Sequence, residues 1–223
     1  MGKRAPKYFF KKSVMTIFSP PHPLNSHRWK NMRVGLLGGS FNPPHKGHVH
    51  ISKMALKALN LDAIWWLVTP LNPLKSADGL LPIKERVRLS REINDHPKIV
   101  VSDIESVFKS PYSYITVKKL NQYFPDTHFA WITGMDNAHN FHKWNNWQEF
   151  LDNMCMIHVT RHPPVNLMKQ CPVRMLSSQK HIVVDQGASR PLDSNTTYWL
   201  LQKKMVNISS TEIRNRNQLK TIT

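Results

Sequence analysis

The chain has 223 residues and only two cysteines, and its 31 lysines and arginines against 14 acidic residues give a net charge of +17. Such a length suits one α/β domain with small appendages. Two distant cysteines, Cys155 and Cys171, exclude a disulfide scaffold or cysteine-rich zinc site and point to a reducing, cytoplasmic setting. The charge implies polyanionic partners without choosing among nucleotides, phosphorylated metabolites, nucleic acid and anionic lipid.

Residues 1–32 come first and stand apart. They hold no acidic residue, a series of lysines and arginines, and Pro6, Pro20, Pro21 and Pro23. The prolines argue against the amphipathic helix of a transit peptide, and there is no secretory apolar region. The segment reads as a flexible basic N-terminal extension, with the folded domain over 33–223. No apolar stretch anywhere approaches the length of a membrane span.

From Arg33 onward, strand-like and helix-like segments alternate, the pattern of a parallel α/β sheet in one domain. Arg33–Leu37 is a short buried strand. His48–Leu59 carries apolar residues at helical spacing. Ala63–Thr69 is a second strand, Pro70–Leu81 a proline-containing loop, and Pro82 opens a helix running to about Ile93. Lys98–Ser102 is a third strand, Tyr114–Tyr123 a helix stopped before Pro125, and His128–Thr133 a fourth strand. Asn146–Leu151 is a short helix and Met154–Thr160 a fifth strand. Pro163–Arg174 is loop, with short strands at His181–Val184 and Tyr198–Gln202. Ser209-Ser210-Thr211-Glu212 has the capping-box pattern and starts a last helix.

Chemistry concentrates at the first strand-to-helix turn, Gly38-Gly39-Ser40-Phe41-Asn42-Pro43-Pro44-His45-Lys46-Gly47-His48. Glycines there allow close backbone approach to a ligand, and N–H groups at a helix start attract anions. Histidines on that turn can donate to phosphate oxygens, so the segment reads as a phosphate cradle. It matches neither the Walker A nor the Gly-x-Gly-x-x-Gly pattern. Zinc ligation by His45, His48 and His50 is disfavoured, because no acidic residue or cysteine lies nearby in sequence and His48 and His50 face different sides of a helix. Ile208-Ser209-Ser210-Thr211-Glu212-Ile213-Arg214 is a second anion-binding helix start with an arginine one turn on.

These two motifs together, in this order, resemble the bacterial nicotinate mononucleotide adenylyltransferases of the His-x-Gly-His nucleotidyltransferase superfamily. Asn72-Pro73-Leu74-Lys75, Ser110–Thr116, Gly134-Met135-Asp136 with Phe141–Trp144, and Arg161 after the fifth strand are similar to further landmarks of that family. Ile115 stands where the family has an aspartate. The resemblance covers about Arg33 to Arg216. It implies a Rossmann-like, doubly wound parallel sheet and transfer of the adenylyl group of ATP to nicotinate mononucleotide, with pyrophosphate leaving and Mg²⁺ accompanying ATP. His45, His48 and Arg214 would be catalytic. Gly38, Ser40, Phe41, Gly134, Asp136, Arg161, Ser209, Ser210 and Thr211 would bind ATP. Gly39, Asn42, Lys75, Tyr112, Thr116 and Trp144 would bind the mononucleotide, Trp144 by stacking on its ring and the Tyr112–Thr116 backbone by reading its carboxylate. No protein side chain would hold a metal.

Two alternatives remain open at this level. One is another acceptor within the same superfamily, nicotinamide mononucleotide or phosphopantetheine. The other, of a different class, is a basic nucleic-acid-binding protein, argued from charge alone and without any recognisable binding motif. A class I aminoacyl-tRNA synthetase needs a longer chain and a Lys-Met-Ser-Lys-Ser-like segment.

Overall fold

Strands that are apolar at nearly every position must be covered on both faces, which a parallel sheet between two helical layers achieves. The computed structural model has that form, and it describes residues 27–71, 77–159, 171–184 and 187–201 together with Ser210, Ile213 and Arg214. Its strands are β1 (Arg33–Gly39), β2 (Ala63–Val68), β3 (Ile99–Ser102), β4 (His128–Gly134), β5 (Cys155–Val159), β6 (Lys180–Val184) and β7 (Thr196–Leu200). They form one sheet in the order β3-β2-β1-β4-β5-β7-β6, with every pairing parallel.

Alternation along each strand sends side chains to two cores. One core holds Leu37, Trp66, Val68, Ile132 and Ile157, covered by α1 (Lys46–Leu59) through Val49, Ile51, Ala55 and Leu59 and by α2 (Ile83–Ile93) through Val87. The other holds Leu36, Trp65, Trp131, Met156 and Trp199. It is covered by α3 (Ile104–Phe108), α4 (Ser113–Tyr123), α5 (Met135–Asn140) and α6 (Trp147–Asp152) through Phe108, Val117, Leu120, Ala138 and Phe150. Fully buried tryptophans on both faces give the sheet much of its hydrophobic stabilisation.

Among the described residues the expected elements fall within a few residues of the observed ones; the last helix expected from Ser209 lies largely outside them. α1 begins at Lys46, and it ends where Asn60 turns left-handed and its N–H reaches the Leu56 carbonyl. β7 spans Thr196–Leu200 instead of starting at Tyr198, because the buried Thr196 and Thr197 pair with Lys180 and His181. Two helices were not expected. α3 is five residues long, and α5 follows β4 with no break; both are too short to show a helical period. Within the stretch read as loop, Pro172–Met175 forms a 3₁₀ turn, and the residues up to 170 lie outside the described part.

Residues 27–32, assigned from sequence to the N-terminal extension, pack on the domain. Trp29 is 2% exposed and meets Trp65 edge to face, while its carbonyl accepts from the Thr127 hydroxyl at 2.7 Å. The boundary expected after Met32 therefore cuts through a packed segment. The strand order reverses between β1 and β4, and in open α/β sheets the crevice at that switch point, beyond the strand C-termini, is where ligands bind. No helix among the described residues is long and apolar enough to cross a membrane.

Candidate active site

β1 ends on Gly38 and Gly39, paired with Leu67 and Val68 of β2, and the chain turns through Ser40–Pro44 into α1. Gly38 is required by packing: a Cβ there would lie 2.6 Å from Cζ2 of the buried Trp131. Phe41 is a buried residue in the left-handed region, with φ of 47°. Its ring stacks on Trp66 at 5.1 Å and meets His48 at 4.6 Å, and this packing holds a backbone conformation that L residues rarely adopt.

His45 is the N-cap of α1, and His48 is the third helical residue. His45 Nδ1 accepts the Gly47 N–H at 3.1 Å, and His48 Nδ1 accepts the His45 N–H at 3.1 Å. The two histidines thus form a capping box, a role usually taken by Ser or Thr with Glu or Gln. They are 4% and 9% exposed, and their ring centroids are 3.8 Å apart. Because each Nδ1 accepts, the hydrogen-bond network assigns the proton of each neutral ring to Nε2. Each imidazole then carries its N–H on Nε2, at the N-terminus of α1.

The C-terminal motif closes on this turn. Ser210 Oγ donates to the Pro43 carbonyl at 2.9 Å, and the Arg214 guanidinium donates to the Asn42 carbonyl at 2.5 Å. Segments 167 and 172 positions apart thus meet on adjacent residues. The peptide bond between Asn42 and Pro43 is cis. The Asn42 side chain is engaged on its other side, its amide donating to the Gly79 carbonyl at 2.8 Å and accepting the Leu81 N–H at 3.1 Å. It latches the loop before α2 to the cradle.

Two residues the sequence did not single out organise the site from beneath. Arg86 of α2 is 1% exposed and donates to the carbonyls of Ser40 (2.7 Å), Thr69 (2.7 Å), Pro70 (3.0 Å) and Leu81 (2.8 Å). It ties the cradle to the end of β2 and to the start of its own helix. Burial lowers its pKa from the ordinary arginine value. In sequence it is one charge among several in an amphipathic helix, and nothing marks it. Glu105 is likewise 1% exposed, and its carboxylate oxygens accept the hydroxyls of Thr69 and Thr116. Burial pushes its pKa up to about 7 against the weaker opposing effect of those two hydrogen bonds. The available signal was one of two acids, Asp103 and Glu105, that follow the third strand of an acid-poor chain.

The remaining expected site residues divide clearly. Gly134 is the last residue of β4 and the N-cap of α5. Before it, Thr133 shares a 2.6 Å hydrogen bond with the buried His158, whose pKa burial depresses to about 3, with His181 adding to the effect. Tyr112 is the N-cap of α4, and Thr116 lies in that helix's first turn, linked through Glu105 to Thr69, whose N–H donates to the Gly39 carbonyl at 2.9 Å. Trp144 is half-buried. Its ring lies 4.9 Å from Phe141 and 6.2 Å from Trp131, the tryptophan that faces Gly38, so it is both a core aromatic and a partly open one. Asp136 falls within α5, and its side chain is outside the described part. Lys75, Arg161, Ser209 and Thr211 lie outside the described residues.

The arrangement can bind an extended polyanion. The start of α1 with its two imidazoles meets the Ser210 hydroxyl and the Arg214 guanidinium at the C-terminal edge of the sheet, and α1 has no acidic residue in its first turn. Comparison with known proteins agrees with this geometry. Residues 36–216 match the family model described as cytidylyltransferase-like. The chain is 39% identical over 185 residues to a probable nicotinate-nucleotide adenylyltransferase of Ruegeria sp. (strain TM1040), covering 83% of this chain and 97% of the relative. It is 40% identical over 185 residues to a protein of the same name from Bradyrhizobium sp. (strain ORS 278), covering 82% and 96%. In three dimensions it is similar to the nicotinic acid mononucleotide adenylyltransferase of Plasmodium falciparum complexed with NaAD. That match has a TM-score of 0.62 at 20% identity, over 85% of this chain and 89% of the other. The same enzyme complexed with APC gives a TM-score of 0.60 at 19% identity, covering 82% and 83%.

Proposed function

The chain belongs to the cytidylyltransferase-like family, and from that premise we propose that it transfers the adenylyl group of ATP to nicotinate mononucleotide, forming nicotinate adenine dinucleotide and pyrophosphate. The observation that carries the reading is the closure of the C-terminal motif on the cradle through Ser210 to Pro43 and Arg214 to Asn42. The residues placed there match the needs of this reaction.

The acceptor phosphate is already ionised near neutral pH and attacks the α-phosphorus in line, so no protein base or nucleophile is required. The task is to hold two anions together and to offset charge growing on the departing pyrophosphate. His45 and His48 meet it as Nε2–H donors held in place by the helix they cap. Neutral donors suit the task because protonation at Nδ1 would break the cap that aims them. Arg214 contributes fixed positive charge, and the N–H groups at the start of α1 contribute their aligned dipoles. Ser210 ties the C-terminal segment to the cradle. Gly38, Gly39, Ser40 and Phe41 let the backbone approach both substrates, Gly134 and Asp136 border the adenosine, and Arg161, Ser209 and Thr211 complete the ATP contacts. Trp144 stacks on the acceptor ring, and the first turn of α4 from Tyr112 to Thr116 reads its carboxylate, with Asn42 and Lys75 at the same substrate.

The cradle's donors are imidazole N–H, main-chain N–H and guanidinium groups, which suit anionic oxygens and not a hard cation. In this reading Mg²⁺ would accompany ATP and would supply charge neutralisation there, without carboxylate ligands from the cradle. The test is to incubate the protein with ATP, Mg²⁺ and, separately, nicotinate or nicotinamide mononucleotide while measuring pyrophosphate release. Release with the acid form supports the proposal, and no release with either form removes it. In the same assay, His48→Ala cuts turnover by orders of magnitude.

A further inference from the structure

We infer that Glu105 is a positioning residue whose charge sets how strongly the first turn of α4 holds an anionic acceptor, an inference that rests on the acceptor reading above. Glu105 bridges two parts of the site: Thr69, bonded to the main chain of Gly39, and Thr116, in the first turn of α4. That turn has no acidic residue in it and no side-chain cap, and the Ile115 N–H already bonds the Tyr112 carbonyl, so the N–H groups of Ser113 and Tyr114 and the helix dipole are what it offers a ligand's carboxylate. A carboxylate beneath the same turn competes for that partial positive charge, and a protonated carboxyl does not. Burial without a cationic partner places this change near neutrality.

The surrounding charged groups do not neutralise it. β2 contributes no ionisable side chain. Arg86 reaches Thr69 through its carbonyl and not through the carboxylate. Lys119 of α4 donates to the Phe108 carbonyl at 2.8 Å. Asp103 and Lys109 flank α3, and Tyr114, Lys118 and Tyr123 complete the ionisable set of α4. Among the described residues none of these forms an ion pair with Glu105.

Nicotinate and nicotinamide mononucleotides share the phosphate and differ in the ring carboxylate, so the ratio of their kcat/KM values isolates the effect. If the amide is not turned over, its Ki as a competitive inhibitor serves instead. In the unaltered protein the preference for the acid falls about tenfold from pH 6 to pH 8, the size expected for one like charge about a helical turn away in a partly screened site. Glu105→Gln, which keeps the shape and one donor and one acceptor, holds the pH 6 preference at both pH values. A preference independent of pH in the unaltered protein overturns the inference without any variant, and so does a Glu105→Gln profile that keeps the original slope. No turnover with either mononucleotide at any pH removes the acceptor reading, and this inference falls with it.

Discussion

Replacing Arg86 with methionine tests whether the cradle is held from beneath. Methionine fills the channel of the side chain and removes all its donors. Four carbonyls then lose their partner: those of Ser40, Thr69, Pro70 and Leu81. A net value of about 1 kcal/mol per hydrogen bond gives a loss of about 4 kcal/mol. Relief from burying a charge without a carboxylate partner offsets part of this, so the expected loss is roughly 3 kcal/mol. A typical stability of 5–15 kcal/mol accommodates such a loss, so the variant still folds. Urea unfolding followed by tryptophan fluorescence reads the change, since Trp65, Trp66, Trp131 and Trp199 are buried. With a slope of about 3 kcal/mol per molar, the midpoint falls by roughly 1 M. Arg86→Lys recovers only part of the loss, because one ammonium does not reproduce the spread of the guanidinium fork. Turnover falls as well, since the freed Ser40 carbonyl no longer fixes the cradle. A loss under about 1 kcal/mol for Arg86→Met would refute the reasoning, because it would mean that the four carbonyls find equal partners in water.

Gly38→Ala presses a methyl onto Trp131 at 2.6 Å, where Trp144 and Phe150 hem that ring in, and is expected to cost about 1–3 kcal/mol, read as a lower Tm. Two buried groups give stability opposite dependences on pH. His158 is held neutral down to about pH 3, so below pH 6.5 the unfolded chain binds more protons than the folded one and stability falls with pH at about 1.4 kcal/mol per unit. Glu105 keeps its proton up to about pH 7, so between its ordinary 4.5 and about 7 the folded state binds more protons and stability falls as pH rises. Between pH 5 and 6.5 the two slopes cancel, and each variant unmasks the other's. Urea unfolding of His158→Gln should show stability falling by roughly 2 kcal/mol from pH 5 to 6.5, and Glu105→Gln a rise of about the same size. Parallel profiles for the two variants would contradict both assignments.

The sheet was legible because its strands are short apolar runs separated by an amphipathic helix or by proline, as in Ala63–Val68 between α1 and the loop before α2. The turn from β1 into α1 was legible because glycine, proline and histidine mark a strand-to-helix turn by their backbone and side-chain chemistry. What stayed hidden depends on distant parts of the chain. Arg86 looks like a solvated helix charge until the carbonyls of Ser40, Thr69 and Pro70 from other segments, and of Leu81 just before its own helix, surround it. Glu105 sits in a helix too short to have a period. Trp29 looked like part of a proline-rich arm because its partner, Trp65, is far away in sequence. The latch made by Asn42 depends on a loop whose composition says nothing of where it folds back.

The histidine capping box also limits how this protein can be made more robust. By helix-start preference alone, Asp or Ser at position 45 is a better cap than histidine, and Glu at position 48 would complete a conventional box. On the proposed function, either acidic change would place a fixed anion where the triphosphate binds. Thermostabilising substitutions chosen on local preference would then fall at the two positions where that proposal expects them to abolish turnover. Gains in stability have to come from elsewhere, such as the exposed face of α2, where Arg88 already pairs with Glu85 and Glu92.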